Sequence, residues 1–189
     1  MKRQLALLGA FGILIGAAAS PARGAEPATG FRGEYIAEVD AVGKKLLDLA
    51  NAMPADKYSW RPAPGVRSVG EVYVHVAGGN YLIPSFMGVK PPEGINRDME
   101  KTITEKPKVI DVLKKSVENV KSMAAGMSDA DLDKKVKAFG GREVTERQLM
   151  LITLNHMHEH LGQSIAYARS NGVTPPWSEA GEPAPAKKS

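Results

Sequence analysis

The stretch TERQLMLITLNHMHEHLGQSIAYARSNG, residues 145–172, holds three of the four histidines of a 189-residue chain within five positions. Its ends read as helix ends. Thr145 followed by Gln148 forms a capping box, in which each residue's side chain accepts the other's backbone N–H. Asn171-Gly172 suits a left-handed C-terminal cap. The spacing predicts one helix over about 145–171. Successive residues of a helix turn by about 100°, so His156 and His160 lie roughly 40° apart, while His158 points about 160° away from both. Leu149, Ile152, Gln163 and Tyr167 share the side of His156 and His160 and make that stripe an inward face. His158 shares the other side with Leu151, Leu154, Leu161 and Ile165, which predicts a packing or subunit-contact surface there.

Three further helices are predicted upstream. Tyr35, Val39, Val42, Leu46, Leu49 and Met53 recur at steps of three and four, giving a helix over 31–53 that Pro54 stops. After a proline-rich connection containing Trp60, Ser68 and Glu71 form a second capping box that opens a buried helix over 68–84. Its Ala77-Gly78-Gly79 run would let a neighbouring helix approach closely. Pro107 stands near the start of another helix, whose apolar face runs through Ile110, Leu113, Val117, Val120 and Ala124 to Gly126. Four amphipathic helices without a convincing strand predict an all-α fold, a four-helix bundle, whose core is where facing helices assemble metal sites.

Two imidazoles at i and i+4 hold a divalent ion in one geometry, and a tight site needs at least a third ligand. The remaining histidine, His75, lies in the middle of the second predicted helix among apolar and small neighbours, where a neutral imidazole needs a partner. Three neutral imidazoles around an ion would account for these placements and leave coordination positions open, as in reactive rather than closed structural sites. Hydrogen-bonded core histidines are the competing account. HMHEH is not a zincin helix, because Gly162 stands where the second histidine would be required. No serine sits in a nucleophile elbow.

The first residues, MKRQLALLGAFGILIGAAASPARGA, have two early basic residues, an apolar run from Leu5 to Ala19 and small residues before Ala25. This is the layout of a secretory signal peptide, expected over 1–24, and the run is shorter than the roughly 20 residues of a membrane span. An exported, periplasmic or secreted chain with no membrane attachment after cleavage is therefore expected. The remaining chain has 22 basic against 21 acidic residues, so the formal charge falls from +4 to +1. Near neutrality and without a dense basic patch, nothing favours nucleic-acid binding. Residues 25–172 form one expected domain, followed by a Pro/Ala/Lys-rich tail over 173–189. Cysteine is absent, which excludes disulfides, a cysteine nucleophile and thiolate metal ligands.

NHMHEHLGQSIAYARSNGVTPP, SVGEVYVHVAGGNYL and YSWRPAPGVRS together resemble the last helix, the second helix and the connection before it in the DinB-like superfamily of four-helix-bundle metalloproteins. The matches occur in the family's order and span nearly the whole chain after the leader. The resemblance implies that His75, His156 and His160 are the metal-binding triad. Zinc is the first choice, with nickel, iron and manganese also suited to imidazole. It implies a metal-dependent enzyme on an unknown small-molecule substrate, hydrolase-like or thiol S-transferase-like, and a homodimer. The family's low-molecular-weight thiol cosubstrates are expected mainly in a reducing cytoplasm. In the enzyme reading, the ion lowers the pKa of a bound water or thiol, or polarises a carbonyl, beside a pocket lined by the second and fourth helices and the Trp60 loop. The other reading is a non-catalytic metal or small-ligand binding module. No general base is evident: Glu71 and Glu159 are near only in sequence, and Glu71 already serves its cap.

Overall fold

The computed structural model describes residues 28–96 and 98–178; the expected leader at 1–24 and the tail beyond Ser178 lie outside the described residues. Helix α1 spans Gly30–Ala52 and α2 spans Val69–Ser85. A short α3 follows at Met99–Thr102, then α4 at Lys106–Gly126 and α5 at Glu146–Ser170. The four long helices match the predicted ones to within one residue at each end. In α1 the expected stripe of Tyr35, Val39, Val42, Leu46 and Leu49 is buried. In α2 burial extends around most of the helix, which is why its valines are compatible with a helical segment.

Both capping boxes form. At α2 the Ser68 N–H donates to Glu71 Oε2 at 2.7 Å and the Glu71 N–H to Ser68 Oγ at 3.3 Å. At α5 the Thr145 N–H donates to Gln148 Oε1 at 2.8 Å and the Gln148 N–H to Thr145 Oγ1 at 3.2 Å. Gly172 takes the left-handed conformation, φ +74°, and turns the chain so that the Val173 N–H reaches Ala168 O at 2.9 Å.

Helices α1 and α2 each pack against both α4 and α5, giving the cyclic order α1, α4, α2, α5. Close approach of α1 and α4 depends on Gly43, where a Cβ would lie 2.7 Å from Val117 Cγ1. The interface of α2 with α5 is the one that carries the histidines.

The expectation of no strand requires one correction. Lys135–Ala138 (β1) and Arg142–Thr145 (β2) form an antiparallel hairpin with Val136 opposite Val144. Phe139, Gly140 and Gly141 all have positive φ and make its turn. Four-residue strands are too short for a periodicity to stand out. The two glycines supply what the turn needs, and Ala138 and Val144 then close one end of the bundle against Ile83 and Leu149. The described chain also continues past the expected domain end. Val173 and Trp177 pack against the core, and Lys45 Nζ lies 5.8 Å from the centre of the Trp177 ring. Among the described residues no helix is long and apolar enough to cross a membrane.

Candidate metal centre

His75 projects from the middle of α2, and His156 and His160, one turn apart on α5, meet it. The three ring centres lie 5.0 Å apart for His75 and His156, 4.7 Å for His75 and His160, and 4.6 Å for His156 and His160. One ring nitrogen from each falls within 4.8 Å of the other two. His75 Nε2 and His156 Nε2 lie 3.2 Å apart. His158 stands apart as the helix angles require, exposed, with its Nδ1 3.1 Å from Leu154 O.

The approach of the two helices is set by Gly79. It lies one turn beyond His75, and a Cβ there would be 2.6 Å from His156 Nδ1 and 3.2 Å from Nε2. The His156 ring therefore occupies the place of a missing side chain, so the small run read in the sequence serves a ring rather than a backbone.

Outer hydrogen bonds orient the other two rings. His75 Nδ1 lies 2.8 Å from Glu100 Oε1; a carboxylate only accepts, so Nδ1 carries the proton and Nε2 turns a lone pair inward. His160 Nδ1 lies 2.8 Å from Gln163 Oε1, whose amide Nε2 donates to the Tyr167 hydroxyl at 2.9 Å. Tyr167 donates to Arg67 O at 3.2 Å, and Arg67 Nε donates to Glu100 Oε2 at 2.7 Å. A continuous chain of polar contacts thus runs from His75 through Glu100, Arg67, Tyr167 and Gln163 to His160. His156 has no place in it, and its buried Nδ1 is without a partner.

Burial lowers the His156 pKa to about 4, helped by His160, His75 and Arg67 nearby. Burial also lowers that of His75, outweighing the Glu100 bond that acts the other way. Both rings are neutral at pH 7, the form that ligates. Burial pushes the Glu100 carboxyl up, but hydrogen bonds from Arg67 and His75 outweigh it and hold the group below the usual carboxylate range.

The donor set fits a divalent cation. Without one, the facing Nε2 atoms are compatible only if His156 carries its proton on Nε2. A cation takes the inward lone pairs together. Among the described residues this is the one cluster of His, Cys, Asp or Glu with such spacing, and it has three members.

The remaining sequence candidates fall outside the cluster. Glu71 is held by its cap and by Arg61 Nη2 at 3.0 Å, and Glu159 is exposed. Trp60 meets Tyr167 edge-on, ring centres 5.3 Å apart, and so backs the polar chain. The expected pocket wall is corrected: the pocket beside His75 is bounded by α2 with Pro91, Ile95, Asn96, Met99 and Glu100, and neither the Trp60 loop nor α5 lines it. Glu100 and Arg67 escaped sequence reading. Glu100 lies in a four-residue helix with no periodicity, and Arg67 precedes a cap that already accounted for its neighbourhood.

The sequence profile of the DinB superfamily matches residues 38–164. YjoA of Bacillus subtilis (strain 168), an uncharacterized protein, is 27% identical over 131 residues, which cover 67% of this chain and 82% of YjoA. The crystal structure of a DinB-like protein from Bacillus cereus ATCC 10987 is similar at TM-score 0.62 and 21% identity, covering 77% of this chain and 95% of that one. The YjoA crystal structure gives TM-score 0.60 at 23% identity, covering 75% and 93%. The profile match spans more than half of the chain, and the solved relatives share its bundle: this chain belongs to the DinB superfamily.

Proposed function

We propose that this chain is an exported metal-dependent enzyme, hydrolase-like, whose His75, His156 and His160 hold one divalent ion, zinc in the first place and nickel, iron or manganese as alternatives. The observation that carries the reading is the convergence of three ring nitrogens, from α2 and α5, with no carboxylate among them. Three protein ligands leave room for a substrate group, as reactive sites do. A divalent ion in such a site supplies Lewis-acid chemistry toward a water, thiol or carbonyl group. The chain's own residues prepare the site: Glu100 and Gln163 fix the proton on the outer nitrogens of His75 and His160, and burial keeps His75 and His156 neutral.

The leader favours hydrolysis over thiol transfer, because low-molecular-weight thiols belong mainly to a reducing cytoplasm. The substrate is a small molecule rather than a nucleic acid, and the mature chain is free of the membrane. A non-catalytic metal or small-ligand binding module is the second reading, favoured by the position of Glu71 and Glu159 outside the cluster and by the engagement of Glu100, the carboxylate beside it, with Arg67 and His75. Metal analysis of protein recovered from its export compartment tests the proposal. One equivalent of a divalent ion is expected. Recovery of the intact chain from the cytoplasm alone, or without any bound ion, contradicts it.

A further inference from the structure

Beside His75, between α2 and the segment that carries α3, lies a pocket of about 410 Å³. Its wall is mostly apolar: Val74, Gly78, Tyr81 and Leu82 from α2, with Ile95 and Met99 opposite. His75 and Glu100 form a polar part of the wall. Two adjacent glycines divide the helix surface between two tasks. Gly79 turns toward α5 and admits the His156 ring. Gly78 turns toward α3, where a Cβ would make one ordinary van der Waals contact, with Met99 Sδ at 3.7 Å.

We propose that this pocket binds the apolar body of an uncharged small molecule and presents its polar group beside His75. The proposal rests on the reading of the three-histidine site as reactive and names the class of substrate that site would take. The size is that of small-molecule sites, which run from roughly 300 to 1,000 Å³ and are lined mainly by apolar groups with a few polar ones. The mostly apolar wall favours an uncharged body, since among the described residues its one carboxylate, Glu100, is already bonded to Arg67 at 2.7 Å and to His75 at 2.8 Å and is not left to pair with a charge on the occupant. The floor is fixed by buried Val74 and Met99, while Leu82, 51% exposed, stands at the mouth.

The probe is N-phenyl-1-naphthylamine, a neutral dye that fluoresces in apolar surroundings, titrated into the purified chain and displaced by n-alkanols of increasing length. Saturable binding at one site is expected, with displacement that strengthens with chain length and then levels as the pocket fills. Gly78→Leu places a side chain in the pocket and should weaken dye binding about tenfold or more, while zinc affinity stays within about twofold of the parent. Leu82→Glu, at an exposed position that leaves the core intact, should weaken dye binding as well, and it carries the test if circular dichroism shows Gly78→Leu unfolded. Absence of saturable dye binding in the parent chain, or equal dye affinity in the folded variants, overturns the proposal. Zinc binding is read in the same samples, so loss of the metal reading and loss of the pocket are separate results.

Discussion

The imidazole of His156 fills the space in which a side chain at Gly79 would begin, with Nδ1 2.6 Å from the position of that Cβ. No other partner holds His156 Nδ1, so packing against Gly79 sets the ring's direction. Gly79→Ala adds a methyl group that favours the helix by about 0.8–1.0 kcal/mol in isolation, yet it must push the ring away from His75. The expected result is loss of zinc affinity by about tenfold or more, since a metal ligand held even 1 Å out of place is poorly productive. Competition titration against a chromophoric chelator measures it. Unchanged affinity would show that the ring's seat on Gly79 has no bearing on ligation.

Glu100 governs His75 from outside the cluster. Glu100→Ala removes the acceptor of the His75 Nδ1 proton and frees Arg67, and loss of such an outer partner typically costs 10–100-fold in metal affinity. Glu100→Gln keeps an acceptor oxygen and should lose less. The order parent, Gln, Ala in zinc affinity is the prediction; equal affinities in all three contradict it.

The pH dependence of the metal-free chain has a definite sign. His156 titrates near 4 in the folded chain and near 6.5 when unfolded, so between these values the unfolded chain takes up a proton that the folded one refuses. Its stability contribution is therefore complete above about 6.5 and is lost as pH falls toward 4. Urea denaturation at several pH values should show this decline, and His156→Asn should make it shallower. An unaltered slope in that variant counts against the assignment.

The long helices were legible because their signals are local. Both capping boxes, Pro54, Pro107 and Gly172 stand at or beside the observed ends, and the steps of three and four through α1 and α4 name their buried faces. The separation of His158 from His156 and His160 followed from helix geometry alone. Pairing His75 with them required the bundle, and the supporting chain through Arg67 and Glu100 required tertiary contacts across 33 residues that no period records. The hairpin was missed for the opposite reason, being too short for alternation to accumulate, although Gly140-Gly141 marked its turn.

The outer side of α5 bears on assembly. Leu151 is 42% exposed there, with Leu154 and Ile165 half-buried on the side of His158. A homodimer through this face is expected, so Leu151→Glu should shift sedimentation at micromolar concentration from dimer to monomer. A parent chain that sediments as a monomer contradicts it.

The central claim is that one ion is held by His75, His156 and His160, and zinc titration of single alanine variants tests it most directly. His75→Ala, His156→Ala and His160→Ala should each sharply weaken binding, while His158→Ala should match the parent. Zinc at a hundredfold excess over Kd should also stabilise the parent by about 2.7 kcal/mol, a gain absent from the three triad variants. Full affinity in His75→Ala, or an equal loss in His158→Ala, would contradict the account.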